Sequence, residues 1–361
     1  MKRSAFILAA CGLIFSSGEA LAADGMTVAD ALKDVQINGA VSAGYNYNFN
    51  EPHTRAINLR SFNDGHNSIN LELAQLVFHK DAADASEAGF RLDLNFGYTV
   101  PKAIRDLALS PSSDFDIRQA YISYVAPLGS GLKLDFGKFV TDHGLEVIEG
   151  YEDWNLNYSR SFLFYYSIPF THTGLRGTYK VNDMLTLSGA VVNGWDNVKD
   201  NNNTKSFHLH AMISPMPDMM VNLKYMAGTE LNDTRHLFNV NLSKQFGALT
   251  LKADYVYATE DNVPAIGDST WTGVAGYARY AVSEKFAVNV RAEVFSDNEG
   301  ARTGTAQDLW ELTLTPEYAI NDNLVVRAEY RHDESNKDSF DKGGSVTDMQ
   351  DTVGLNAIYH F

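Results

Sequence analysis

The segment between residues 141 and 171 concentrates side chains that could act on ions and polar solutes. Its acidic residues are Asp142, Glu146, Glu149, Glu152 and Asp153. Basic residues recur elsewhere on strand-like segments, at Arg176, Arg291, Arg327 and Arg331. Charges of opposite sign that face each other across water create a transverse field, which orders ions and polar molecules. The sequence leaves a simpler interpretation open, in which these charges are only solvated at a rim.

Residues that could support catalysis or metal binding are sparse. His208 and His210 lie two positions apart on one strand face, but no third metal ligand is visible. The stretch around Ser68 comes nearest to a hydrolase serine site, and a turn before a strand explains it better. The chain contains no nucleophile elbow, P-loop or zinc-protease helix. We therefore expect no enzyme, no bound metal and no cofactor.

The C-terminal segment indicates which kind of element carries these side chains. Its apolar residues alternate with polar ones, and the apolar set is Val353, Leu355, Ala357, Tyr359 and Phe361. Alternation with a period of two places successive side chains on opposite faces of a β-strand. A last strand that ends on Tyr359 and Phe361 resembles the C-terminal assembly signal of outer-membrane barrel proteins.

The same alternation recurs along the chain. It is clear in segments 35–49, 90–98, 175–181, 286–294 and 324–331, where one face is apolar and the other polar or charged. It is less regular at 69–78, 115–126 and 271–280. An apolar face opposite a charged face is typical of strands that separate lipid from a water-filled lumen.

The N-terminus indicates export. Lys2 and Arg3 precede an apolar core from Ala5 to Phe15, and Ala20-Leu21-Ala22 fits a small-residue cleavage site. We predict a signal peptide over residues 1–22, a short periplasmic segment over 23–34 and a barrel over 35–361. The formal net charge of −16 excludes nucleic acid as a partner, since phosphate binding requires excess basic residues.

The membrane architecture follows from the backbone. No later segment approaches the roughly eighteen consecutive apolar residues that a spanning helix needs. In lipid, only a helix or a closed barrel satisfies its own backbone hydrogen bonds. We therefore predict an all-β fold, a transmembrane antiparallel up-and-down β-barrel in the outer membrane, with lipid and the barrel assembly machinery as partners.

Turn-forming residues divide the barrel into about sixteen strands, with fourteen to eighteen compatible with the pattern. Short turns alternate with longer polar connections such as 141–171, 195–204 and 259–270. An even strand number places both termini on the periplasmic side. Tyrosine and tryptophan near strand ends, including Trp195, Trp271 and Trp310, suggest aromatic girdles at the two bilayer interfaces.

The connection 141–171 is unusually long and rich in aromatic residues, so disorder is not expected. An apolar connection beside a water-filled lumen should fold inward against the wall, as the third outer loop of sixteen-stranded general porins does. Such a loop could narrow the lumen or plug it, and the sequence does not decide between these outcomes.

Residues 137–149 read GKFVTDHGLEVIE, and they are followed by Asn155, the run NYSRS at 157–161, Pro169 and HTG at 172–174. With the terminal strand, this pattern resembles the putative beta-barrel porin-2 family (OmpL-like) of Gram-negative outer membranes. The resemblance implies a porin-like protein without fixing its solute. Lys138, Glu146, Arg160 and His172 are its polar candidates, either for solute contact or for an ion-paired network that anchors the loop.

Our leading expectation is a porin through which ions or small hydrophilic solutes diffuse passively. The alternative is a non-conducting structural or adhesive barrel that acts through its extracellular loops. An outer-membrane hydrolase is a weaker third hypothesis. The sequence leaves the oligomeric state open, with a homotrimer as one option.

Overall fold

A computed structural model describes residues 34–103, 114–230 and 233–361. The predicted signal peptide and almost all of the predicted segment 23–34 lie outside these residues. Among the described residues, no helix is both long and apolar enough to cross a bilayer. The described elements are β-strands, a short helix α1 (Val100–Ala103) and a π-helical turn (Leu163–Ser167).

Sixteen antiparallel strands of the described chain form one closed barrel, which confirms the predicted fold class and strand number. They are β1 (Gln36–Asn48), β2 (Ser68–Lys80), β3 (Ala88–Phe96), β4 (Phe115–Ala126), β5 (Leu132–Val140), β6 (Thr171–Lys180), β7 (Leu185–Val192), β8 (Ser206–Ile213), β9 (Met219–Glu230), β10 (Asp233–Phe246), β11 (Leu249–Val263), β12 (Gly267–Ala281), β13 (Phe286–Asp297), β14 (Gln307–Ala319), β15 (Leu324–Ser335) and β18 (Met349–His360). Two short strands, β16 (Phe340–Lys342) and β17 (Ser345–Thr347), form a separate hairpin in the connection from β15 to β18.

The first and last strands close the ring. β1 pairs with β18 in an antiparallel register that places Ala43 opposite Ala357. At the end of this seam, Gly39 and Phe361 exchange both backbone hydrogen bonds at 3.0 Å. A Cβ atom at Gly39 would lie 2.5 Å from the carbonyl oxygen of Gln75, so this close approach requires glycine. The terminal aromatic residue is thus part of barrel closure.

The two faces of the wall follow the predicted alternation. On β18, Leu355 is 59% exposed on the outer surface, whereas its neighbour Asn356 is buried inside. Asn356 donates to the Ser42 hydroxyl across the seam (2.9 Å). An apolar exterior and a hydrogen-bonded polar interior are the arrangement that a membrane barrel requires.

Two of the irregular segments contain β-bulges. The register between β1 and β2 passes from Ser42–Leu73 to Ala43–Leu71, so Glu72 has no opposite residue. Between β3 and β4, the register likewise leaves Arg118 unpaired. A bulge adds one residue to one strand and re-aims its side chain. The broken alternation in both segments therefore has a cause: each bulge turns a charged side chain, Glu72 or Arg118, into the interior.

The third irregular segment, on β12, has an apolar inner face. Trp271 is fully buried at 0% exposure and Tyr277 is also buried inside. Trp195 is 8% exposed, and its ring meets that of Trp271 edge-on at 6.5 Å. The predicted placement of Trp195 and Trp271 in a lipid girdle is therefore wrong, because both pack within the barrel. Trp310, by contrast, is exposed on the outer face.

The connections are short at one rim and mostly longer at the other. One of the longer connections is shorter than predicted, because its flanking strands extend further. β11 and β12 leave only residues 264–266 between them, where the polar composition had indicated a connection over 259–270. The connection between β5 and β6 spans residues 141–170 and is the long one that the sequence singled out.

Candidate functional site

Residues 141–170, called the inner segment below, cross the interior of the barrel. The amide of Tyr151 donates to Gln75 Oε1 on β2 (3.0 Å), and the amide of Gly144 donates to Asn239 Oδ1 on β10 (2.8 Å). These two strands lie on opposite sides of the ring. A segment that bonds to both of them lies inside the barrel.

Two wall glutamates hold consecutive backbone amides of the inner segment. Glu293 on β13 accepts from the amides of Phe162 (2.8 Å) and Leu163 (2.5 Å). Glu329 on β15 accepts from both amides of Tyr158–Ser159, at 2.6 and 2.9 Å. Irregular backbone buried in a barrel has few backbone partners, and an unsatisfied buried amide costs about 1–3 kcal/mol. These carboxylates therefore offset the cost of burying the amides of the inner segment.

Three acidic residues that the sequence singled out are in direct contact with wall arginines. The pairs are Asp142–Arg176 (3.1 Å), Glu146–Arg291 (2.7 Å) and Glu149–Arg327 (2.9 Å). The members of each pair touch, so they do not face each other across open water. Their immediate effect is to attach the inner segment to the wall, which is the anchoring role that the sequence had left open.

Arg160 belongs to the same network from within the inner segment. Its Nη2 atom lies 3.1 Å from Glu149 Oε2, and its Nη1 atom donates to the carbonyl of Tyr158 (2.9 Å). Burial by itself would raise the pKa of Glu149, but Arg160 and Arg327 outweigh it and lower that pKa to about 2. Glu149 is therefore ionised at any physiological pH and holds both arginines.

Lys138 and His172 have partners beside the two ends of the inner segment. The Lys138 Nζ atom lies 2.9 Å from Asp116 Oδ1 and donates to the carbonyl of Ile117 (2.7 Å). His172 Nε2 lies 3.0 Å from the Thr141 hydroxyl. Lys138 thus ties β5 to β4 just before the inner segment, and His172 contacts the first residue of the segment, Thr141.

Arg331 does not pair with an acidic residue of the inner segment. Its Nε atom lies 2.5 Å from Asp333 on the same strand, and its Nη1 atom donates to the carbonyl of Arg160 (2.5 Å). Glu152 pairs instead with Arg91 on β3 (2.8 Å). The network therefore combines predicted charges with partners that the sequence did not indicate.

The second half of the inner segment is held by apolar contacts. Phe162, Leu163, Ile168 and Phe170 are all buried. They belong to one core cluster with inner-face residues of the long strands, including Trp271. Full burial of such a side chain contributes about 1.5–3 kcal/mol. This packing explains why the inner face of β12 is apolar and why its alternation was unclear.

Tyr158 reaches the closing seam of the barrel. Its hydroxyl donates to Glu72 Oε1 (2.5 Å) and accepts from Asn46 Nδ2 (3.0 Å). Gly44 and Gly354 form the notch for its ring, since a Cβ atom at Gly354 would lie 2.9 Å from the ring carbons. The bulge at Glu72 thus supplies the acceptor for a side chain of the inner segment.

A cavity of about 390 Å³ remains beside the inner segment. Its wall residues include Gln75, Arg91, Asp93, Arg118 and Gln119 of β2–β4. On the opposite side it is lined by residues of the inner segment, among them Thr141, Val147, Ile148, Tyr151 and Asp153. The segment packs against the long strands, so open space lies on the side of β2–β4.

His208 and His210, which the sequence singled out, belong to a histidine cluster near the start of the inner segment. The ring of His143 stacks on that of His208 with centroids 4.5 Å apart, and His172 lies 6.0 Å from His208. His210 approaches Asp142 at 3.9 Å. Within the described ranges, no group of three or more histidine, cysteine or acidic residues could hold a metal ion.

Sequence reasoning missed three charged residues of this interior. Glu72 and Arg118 lie at bulges, where strict alternation assigns the wrong face. Glu293 lies on a regular strand, but nothing in its pattern signals that it binds backbone amides of a distant segment. The only available signal was local irregularity at segments 69–78 and 115–126, which marked the two bulges.

Comparisons with known proteins identify a family with this architecture. The family model described as "Putative beta-barrel porin-2, OmpL-like" matches residues 34–361. No protein of curated function matches the chain significantly.

Three solved structures share the fold. OprB of Pseudomonas putida is 13% identical with a TM-score of 0.62, covering 91% of this chain and 94% of its own. The trimer form of OmpT, an outer membrane protein of Vibrio cholerae, is 15% identical with a TM-score of 0.60, covering 91% and 99%. The outer membrane channel DcaP of Acinetobacter baumannii is 14% identical with a TM-score of 0.59, covering 91% and 97%. With its closed barrel and its match over residues 34–361, the chain belongs to the beta-barrel porin-2, OmpL-like family.

Proposed function

We propose that this porin lets ions and small hydrophilic solutes diffuse passively across the outer membrane. The observation that carries the proposal is the cavity of about 390 Å³ between the inner segment and strands β2–β4, whose lining includes charged and amide side chains. Water and hydrated solutes need a polar path inside an apolar wall, and this region supplies both charged and amide side chains.

The inner segment acts as a constriction in this proposal. Its ion pairs with Arg176, Arg291 and Arg327 fix its position, so the free cross-section is confined to one side of the lumen. Charges that line the remaining space, such as Arg91 and Asp93, would then set the local field that a passing solute meets.

The second candidate function is a non-conducting barrel that acts through its outer loops. It is favoured by the complete burial of Arg291 and Arg331, both at 0% exposure, because the half of the lumen near them is filled. In that case the cavity would be a closed pocket, and the barrel would carry no current.

Several partners belong to the proposal as well. The predicted signal peptide would be cleaved after export, and the exposed Tyr359 and Phe361 would be recognised by the barrel assembly machinery before insertion into outer-membrane lipid. The trimer form of the similar Vibrio protein supports a homotrimer as the assembly to test.

Cysteine modification in planar bilayers tests the path. The sequence has one cysteine, Cys11, within the predicted signal peptide, so a new cysteine in the barrel would react alone. Val147 lines the cavity, and Val147→Cys changes little volume. We expect single-channel currents from the wild-type protein and a lower conductance after a bulky neutral thiol reagent modifies Val147→Cys.

Val346→Cys is the matched control, because Val346 is 64% exposed on the outer hairpin and does not line the cavity. Its modification should leave the conductance unchanged. An absence of wild-type current would favour the non-conducting barrel. If modification of Val147→Cys leaves the conductance unchanged, the solute path lies elsewhere in the lumen.

A further inference from the structure

Arg118 is a buried cation with unused hydrogen-bonding capacity. Its residue exposure is 3%, and its Nε and Nη1 atoms have no hydrogen-bond partner. Its one recorded ion-pair contact within the described chain is long, at 3.8 Å from Asp116 Oδ2. Asp116 also lies 2.9 Å from the Lys138 ammonium, which competes for the same carboxylate.

The other inner arginines do not share this state. Arg176, Arg235, Arg291 and Arg327 each have a carboxylate oxygen within 2.9 Å. A buried charge without a close partner is costly, so proteins seldom keep one unless something binds to it. The burial of Arg118 without a close carboxylate therefore needs an explanation, whereas the burial of these other arginines does not.

The bulge gives Arg118 its direction. Asp93 pairs with Gln119, and the next residue, Leu94, pairs with Ile117, so Arg118 is the extra residue of β4. Arg118 and Gln119 are consecutive and yet both are buried inside, whereas Ile117 is exposed outside. Regular strand geometry would have sent one of the two towards lipid. The local backbone is thus arranged to point this guanidinium into the barrel.

Arg118 lines the cavity of about 390 Å³, and the polar groups around it are already engaged. Gln119 donates to Asp93 Oδ2 (2.8 Å) and accepts from the amide of Val140 (3.0 Å). Gln75 donates to Asn95 Oδ1 (3.1 Å) and accepts from the amide of Tyr151. The capacity to bind a solute is therefore concentrated at Arg118.

The acidic residues of the cavity do not cancel this cation. Asp93 and Glu152 both pair with Arg91, at 2.8 Å in each case. Glu146 pairs with Arg291, and Asp153 is exposed, where water screens its charge.

From these contacts we propose that Arg118 is a transient binding site for small organic carboxylates within the channel. The planar guanidinium matches a carboxylate through paired, charge-assisted hydrogen bonds, which a chloride ion cannot reproduce. The inference rests on the proposed function for the path of the solute, but the binding itself does not require conduction.

Two measurements test the site with succinate and its neutral diamide, succinamide. In planar bilayers, succinate should reversibly reduce the potassium chloride current of the wild-type protein, and succinamide should not. Calorimetric titration of the detergent-purified protein should show succinate binding. Arg118→Gln should weaken both effects about tenfold, as expected for the loss of a charge-assisted hydrogen bond.

Lys133→Gln is the matched control. Lys133 shares the inner face of the adjacent strand β5 with Asp135, carries the same charge and does not line the cavity. It should leave the succinate effects unchanged. Retained heat-modifiable mobility on gels would show that each variant is folded.

The outcomes separate the two proposals. Wild-type conduction with a succinate response that Arg118→Gln leaves intact would overturn the carboxylate site and keep the porin. Arg118-dependent binding without any current would keep the site and overturn the porin. A response to succinamide equal to that of succinate would also overturn the site, because charge would then be irrelevant.

Discussion

Replacing Arg291 by methionine should release part of the inner segment from the barrel wall. Arg291 is fully buried, and it donates to Glu146 (2.7 Å), Glu311 (2.5 Å) and the carbonyl of Ser159 (2.6 Å). Its removal would leave Glu146 and Glu311 close together without the cation between them. Detachment of the inner segment would relieve this repulsion, because Glu146 would then reach water.

The magnitude follows from the buried pair. Removal of one partner from a buried ion pair costs about 3–5 kcal/mol, because a charge stays behind without compensation. Each 1.4 kcal/mol corresponds to about a factor of ten in an equilibrium constant. If most of that cost is relieved by detachment, the detached population should rise by roughly two to three orders of magnitude.

Hydrogen exchange measures this population directly. The amide of Tyr158 donates to Glu329 Oε2 on the wall (2.6 Å) and that of Phe162 to Glu293 Oε2 (2.8 Å), so both are protected only while the segment is docked. Exchange of peptides covering residues 157–163 should accelerate by the same factor as detachment increases. The double variant Arg291→Met with Glu146→Gln should recover part of the protection, since the orphaned carboxylate is gone.

Arg279→Met is the control for loss of an inner-face arginine. Arg279 pairs with Glu317 (2.7 Å) on the wall, has a partly exposed side chain and makes no recorded contact with the inner segment. Its removal should leave exchange at 157–163 unchanged. If Arg291→Met also changes this exchange by less than about threefold, apolar packing rather than the ion pair holds the segment, and the reasoning fails.

Three further predictions concern the same architecture. Burial, together with nearby histidine and lysine side chains, holds the pKa of His143 well below its usual 6.5. The detached segment therefore binds more protons than the docked one as pH falls below 6.5. The free energy of detachment should fall by up to about 1.4 kcal/mol per pH unit, so exchange of the inner segment should accelerate on acidification. His143→Gln should flatten this pH dependence. Gly354→Val should displace Tyr158 and unprotect its amide, whereas Gly276→Val, where a Cβ atom has no neighbour within 4 Å, should not. Deletion of Phe361 should lower the yield of heat-modifiable barrel, because the backbone bonds at the end of the closing seam are lost.

The strand pattern shows which parts of the fold the local sequence predicts. Wherever one face meets lipid and the other meets water, alternation alone assigns both faces, as for Leu355 and Asn356 on the last strand. It fails on β12, where both faces are apolar because the inner one meets another part of the chain. It also fails at bulges, where backbone register rather than side-chain polarity decides the direction.

The sequence by itself determined a barrel of about sixteen strands, its closing strand and an aromatic segment too apolar to remain in water. Each of these follows from periodicity and from the need of a backbone in lipid to bond to itself. Only the tertiary structure decided which charges meet, because partners such as Glu146 and Arg291 are 145 residues apart in sequence. It alone aimed Arg118 into the cavity and moved Trp195 and Trp271 from the lipid surface to the interior, since these placements depend on register and on contacts made across the lumen.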